Sequence, residues 1–172
     1  MTTQKISMEE MLSRTARFKE LKASKEAFVD TRISGHEREI FNVIGRGVTE
    51  DSILEVAITA VEGFNVTYIG ADPGKGAALH SHRTVEVFYA MTGCWALYWG
   101  DKGDQEIEMA TMDMVSVPAG VMRGFRNIGN KYAYMMAMHS ATDAGRVTWS
   151  PKVLELARQT GLELDDDGYL LS

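Results

Sequence analysis

The stretch from Gly74 to Gly93, GKGAALHSHRTVEVFYAMTG, constrains this chain more than any other. His80 and His82 are two residues apart, so on a β-strand both side chains leave the same face. Glu86 follows at an even offset and shares that face if the strand continues. Two imidazoles and one carboxylate converging in an apolar interior hold a divalent transition metal and leave coordination positions open. A lone buried histidine is usually structural. A pair at i and i+2, followed by a glutamate of the same parity and flanked by glycines, is a more specific pattern.

The surrounding chain reads as short β-runs. ILEVAITAV and FNVTYIG precede the motif, and VEVFYAM, CWALYW, QEIEMA, MVSVP and YAYMMAMHS follow His82. They are rich in β-branched and aromatic residues and bounded by glycine, proline and aspartate. GDKGD, residues 100–104, closes a hairpin between CWALYW and QEIEMA. Many short strands at close spacing predict an all-β antiparallel barrel or sandwich. Before them, Ser7 and Glu10 form a capping box that opens an amphipathic helix over 8–22. Its apolar face is expected to pack on the barrel or on a second subunit. Residues 23–52 read as polar and mixed, with IFNVIG (40–45) as a short strand. His36, in the polar SGHERE stretch, reads as solvated. At the other end, Ser150 and Pro151 predict a helix start and Gly161 its stop. Asp165, Asp166 and Asp167 read as a solvated acidic turn.

The spacing G-x5-H-x-H-x3-E-x6-G from Gly74 to Gly93 resembles the first signature of the cupin superfamily at every position, in the manner of a single-domain RmlC-like barrel. The second signature, G-x5-P-x-G-x2-H-x3-N, resembles MDMVSVPAGVMRGFRN, residues 112–127. Pro118, Gly120 and Asn127 fit. Met112 stands in place of the glycine and Arg123 in place of the fourth ligand, a histidine. The resemblance implies a double-stranded β-helix (jelly-roll) barrel over 53–142. An N-terminal helical arm over 1–52 and a C-terminal helix and tail over 143–172 would flank it. It also implies a metal site at His80, His82 and Glu86 for Fe(II), Mn(II), Ni(II) or Zn(II), and pairing as a homodimer.

Arg123 has no lone pair to give a metal. Three readings stay open: it points at the open side of the centre and orients an anionic substrate, it pairs with Glu86 in place of the metal, or it swings out to solvent. His139, late in the strand after the second motif, is a candidate fourth ligand or general base if it faces inward. Arg126 alternates with Arg123 and Phe125 and is expected to face the other way. Asn127 is expected to hold a turn. The aromatics Phe88, Tyr98 and Phe125 and the methionines Met114, Met136 and Met138 read as core or pocket lining. Cys94 reads as buried.

Net charge is −6 and no basic stripe is present, which argues against a nucleic-acid partner. No apolar run of 18 residues exists, so no membrane span is expected. A single cysteine and the absence of a signal-like N-terminus suggest a cytoplasmic protein. The functional expectation is a metal-dependent enzyme with dioxygenase-, lyase- or isomerase-type chemistry on a small anionic molecule. The alternatives are a non-catalytic ligand-binding cupin without tightly held metal, and a metal-free epimerase using His139 as base.

Overall fold

The structure is a computed structural model and describes residues 3–59, 61–141 and 144–171. The strands are β1 (Glu39–Ile44), β2 (Val56–Ile58), β3 (Phe64–Ala71), β4 (Gly76–Ser81), β5 (Glu86–Ala90), β6 (Trp95–Trp99), β7 (Gln105–Met109), β8 (Met114–Val117), β9 (Arg123–Asn127), β10 (Ala133–Ser140) and β11 (Thr148–Trp149). They form two facing sheets, ordered β2-β1-β3-β10-β5-β8 and β11-β4-β9-β6-β7. Pairing is antiparallel except between β1 and β2. This is the expected all-β double-stranded β-helix.

Alternation sets the core. Along β10, alternate residues are buried, so Ala133, Met135, Ala137 and His139 face inward. Across the two sheets, Phe88 packs on Phe125 at 5.3 Å, and within one sheet Trp95 lies 6.0 Å from Phe125, between ring centroids. Phe88 and Phe125 are therefore core. Tyr98, Met136 and Met138 lie on intermediate positions, and Met114 is exposed.

The sheets reach beyond the expected span of 53–142. β1 lies before it and pairs with β3 over five register positions, while β11 lies after it and pairs with β4. Residue 142 itself lies outside the described residues. Residues 23–38, read as polar, contain a buried strap in which Ala27, Phe28, Val29 and Asp30 are all shielded from solvent. The local sequence alternates too briefly to reveal this. Burial comes from contacts made with distant elements.

The N-terminal helix is shorter than the capping box suggested. α1 spans Met8–Ser13 with Ser7 as its cap and buries no residue. A separate 3-10 turn at Phe18–Glu20 follows, and Phe18 lies against Phe41, Tyr68 and Tyr134. At the C-terminus, α2 (Pro151–Gln159) begins as expected, with the Ser150 hydroxyl accepting from the Val153 amide. Gly161, at φ +81°, continues the chain in a left-handed conformation. Asp165 closes the acidic turn by accepting from the amides of Asp167 and Tyr169. Cys94, expected to be buried, is exposed because it falls in the turn between β5 and β6 and not within a strand.

Candidate metal centre

His80 lies on β4, His82 just beyond it, Glu86 opens β5, Arg123 opens β9 and His139 nears the end of β10. These termini meet at one end of the barrel. His80, His82, Glu86, Arg123 and His139 are all buried. The ligand-type atoms of His80, His82 and Glu86 lie within 4.8 Å of one another. His80 and His82 share a side by their i, i+2 spacing, and a bulge just before them brings His80 inward along with Ala77: Ala77 pairs with Phe125 and His80 with Arg123, so two residues of β4 oppose Gly124 alone.

Arg123 takes one of its three readings. Its Nε and Nη2 donate to Glu86 Oε2 at 2.9 and 2.6 Å, and Nη1 donates to the Val121 carbonyl. The guanidinium is turned to Glu86 and not toward an open side of the centre. His139 faces inward, with Nε2 3.2 Å from Glu86 Oε1 and Nδ1 3.5 Å from the Thr84 hydroxyl. It contacts His82 edge to face, with ring centroids 4.6 Å apart. His139 is not in the compact set of three, but it supports the carboxylate of that set.

The donor chemistry fits a divalent transition metal. His80 Nδ1 lies 2.7 Å from the Ala78 carbonyl, which can only accept, so Nδ1 carries the proton and Nε2 keeps its lone pair. Burial, then the Arg123 charge, pushes His80 down to about 4, and burial holds His82 well below the usual histidine range. Both imidazoles are therefore neutral near pH 7, as ligation requires. His82 Nδ1 is buried without a hydrogen-bond partner. Burial opposes the charged form of Glu86, but His139, His82 and the Arg123 guanidinium outweigh it and hold the carboxyl well below the usual carboxylate range.

The centre borders a cavity with free volume of about 30 Å³, lined also by Phe28, Arg38, Phe125 and Trp149. Trp149 lies 5.2 Å from the His80 ring and donates its Nε1 to Glu50 at 2.6 Å. Neither the strap residues nor Trp149 carried a local signal of site proximity. Arg126 faces outward as expected, pairing with Glu106 at 2.6 Å. Asn127 holds its turn by donating to the carbonyls of Ala71 and Lys131 and accepting from the Gly129 amide. His36 is half-buried, not solvated, and burial lowers its pKa.

The cupin domain family matches residues 68–139, from within β3 to within β10. This chain carries a cupin domain. No curated protein matches the sequence. Among solved structures, the polyketide cyclase RemF from Streptomyces resistomycificus is similar at 17% identity and a TM-score of 0.59, over 90% of this chain and 89% of that one. An oxalate oxidase in complex with glycolate is 23% identical over 54% of this chain and 48% of that one, with a TM-score of 0.46. A cupin superfamily protein from Desulfitobacterium hafniense is 13% identical over 49% of this chain and 72% of that one, with a TM-score of 0.43. At 17% identity the likeness to RemF shows the fold alone. His80, His82, Glu86, Arg123 and His139 all lie within the residues this cupin domain's family matches. Among the described residues, no helix is long and apolar enough to cross a membrane.

Proposed function

We propose that this cupin binds a divalent transition metal through His80, His82 and Glu86 and acts on a small anionic organic molecule. The observation that carries the reading is the buried His80–His82–Glu86 cluster, whose donor atoms lie within 4.8 Å of one another. When bound, an Fe, Mn, Ni or Zn ion supplies Lewis-acid or redox chemistry at a position the chain leaves open.

The protein's own part is electrostatic and positional. Arg123 pins the carboxylate of Glu86 by two hydrogen bonds to one oxygen, as outer-sphere partners of ligating carboxylates do. That pairing also cancels the carboxylate's charge. A divalent ion beside two neutral imidazoles then keeps its full positive charge in a dry cavity, where electrostatic interactions are strong. A small anion is the species best attracted there. His139, braced between Glu86 and Thr84, is placed to accept or return a proton. Phe28, Phe125 and Trp149 in the cavity wall limit water. Dioxygenase- and lyase-type reactions both suit this arrangement.

A second reading is a non-catalytic ligand-binding cupin. It is favoured by the same Arg123–Glu86 pair, which gives the carboxylate a cation without any metal. The two readings separate by turnover. Metal-reconstituted protein is screened against small carboxylates with and without oxygen. The enzyme reading expects product that vanishes in His139→Ala or His82→Ala protein. Saturable binding of a carboxylate without consumption, whatever the metal, would contradict it.

The proposal extends to assembly as a homodimer. Met8, Met11 and Leu12 of α1 are exposed and the helix buries nothing within its own chain, which supports cover by a second copy. Light scattering on the full chain and on protein lacking residues 1–22 tests this: a dimer that becomes monomeric supports the arm's role, and a monomeric full chain contradicts it.

A further inference from the structure

The β4 bulge that aims His80 leaves an amide without a strand partner opposite β9, and a residue far outside the cupin motifs supplies the acceptor. Asp30, on the strap, is fully buried. Its Oδ2 accepts from the Ala78 amide at 2.8 Å. The carbonyl of the same Ala78 accepts from His80 Nδ1 at 2.7 Å. Asp30 itself is fixed by Arg38, whose Nη1 donates to Oδ2 at 3.0 Å and whose Nη2 lies 2.8 Å from Oδ1. Arg38 in turn donates to the carbonyls of His36 and Gly76, the latter at the start of β4. The strap is anchored at its other flank, where the Val29 amide donates to Glu50 at 2.7 Å.

We propose that Asp30 is a positioning residue for His80: through Ala78 it fixes the bulge and locks the imidazole as the Nδ1–H tautomer, with the Nε2 lone pair turned to the metal centre. The inference about metal affinity rests on the metal-binding reading above; the inference about the tautomer does not. A carbonyl accepts but cannot donate, so its placement selects the tautomer. Its placement depends on what holds residue 78, since neither Ala78 nor Leu79 has a register partner on β9. Asp30 therefore acts two steps away from the ligand atom. Arg38 neutralises the carboxylate, so that a full negative charge is tolerated in the interior.

Two variants separate positioning from simple stability. Asp30→Asn keeps an oxygen that can accept from Ala78 but breaks the ion pair with Arg38. The double variant Asp30→Leu/Arg38→Met removes charge and acceptor together and leaves no unpaired ion. Both are examined without metal by ¹H–¹⁵N long-range correlation of the His80 ring, and by titration with Co(II) followed through its visible absorption. The expected results are a single Nδ1–H tautomer in the wild type and in Asp30→Asn, which melts at lower temperature but binds Co(II) within about 3-fold of wild type. The double variant should show mixed tautomers, a shifted Co(II) spectrum and an affinity loss of about 10-fold or more, the scale of outer-sphere effects on metal sites. A double variant with unchanged tautomer and spectrum would overturn the proposal, as would folded Asp30→Asn protein that has lost the Nδ1–H form. If the wild type takes up no Co(II), the metal reading fails and the ring spectra alone decide whether Asp30 governs His80.

Discussion

Arg123 and Glu86 form a buried ion pair in which both Nε and Nη2 address a single oxygen, Oε2, at 2.9 and 2.6 Å. The other oxygen, Oε1, faces His139 at 3.2 Å. The carboxylate is thereby held from two sides, by a permanent cation and by an imidazole. The residue that departs from the cupin pattern thus acts on a residue that keeps it. A carboxylate oxygen has more than one acceptor site, so this clasp orients Glu86 and still leaves it able to ligate.

Removing one partner of this pair should be costly. Arg123→Met leaves the buried Glu86 without its permanent cation, with only the His139 imidazole against it, and should lower unfolding free energy by about 3–5 kcal/mol. Arg123→Met/Glu86→Leu, which removes both charges, should recover most of that loss. Chemical denaturation of the metal-free proteins checks both values; equal losses in single and double variants would show that the ion pair is not the cause.

Arg123→His places a donor where the cupin signature has its fourth ligand and removes a cation beside the centre. Divalent metal affinity should rise by about 10-fold or more, since like charges in a low-dielectric site repel strongly. Competition with a chromogenic chelator measures this. Without metal the same variant should melt below wild type, because Glu86 has lost the guanidinium that pairs with it.

Met112 should be improvable. It occupies the signature's glycine position and adopts φ +78°, a left-handed conformation that disfavours residues with a Cβ. Its side chain is mostly exposed. Met112→Gly should therefore raise stability by about 1 kcal/mol, the strain outweighing the extra chain entropy of glycine. Thermal and urea unfolding would report it, and metal binding should not change.

Much of this molecule is legible in the sequence because strand parity is a local property. His80 and His82 share a side through their i, i+2 spacing, whereas Glu86 joins them not by a continuing strand but from the start of β5 in the facing sheet. The burial of alternate residues along 133–140 turns His139 inward, a direction the apolar run around it does not reveal by itself. The hairpin at 100–104 and the start of α2 at Ser150 and Pro151 follow from turn and cap chemistry. The direction of Arg123 is not legible, because its partner is 37 positions away and three orientations satisfy the local strand equally. Asp30 lies 48 positions from Ala78, and Trp149 lies 99 from Glu50. Such contacts are decided by how the strap and the last strand close over the barrel, and neither has a periodicity that announces its burial.

Glu50 should impose a pH dependence on stability. Burial, opposed by hydrogen bonds from Trp149 and Val29 and with Asp30 raising it and Arg38 lowering it, pushes its carboxyl from 4.5 up to about 8. Between those values the folded protein holds a proton that the unfolded chain has lost, so stability contributed by this group is full below pH 4.5 and is lost as pH rises through about 8. Glu50→Gln should flatten this part of the profile, making melting temperature less sensitive between pH 5 and pH 8. An unchanged slope in the variant would place the dependence elsewhere.

The central claim is that His80, His82 and Glu86 hold a metal although Arg123 clasps the carboxylate. It is tested most directly by elemental analysis of protein purified without a histidine tag or added metal, and again after reconstitution with each of Fe(II), Mn(II), Ni(II) and Zn(II), beside a His80→Ala/His82→Ala variant. Wild-type protein should hold near-stoichiometric metal, as purified or after reconstitution, and the variant none. No metal in the wild type after reconstitution with every ion, or equal metal in both proteins, would contradict it.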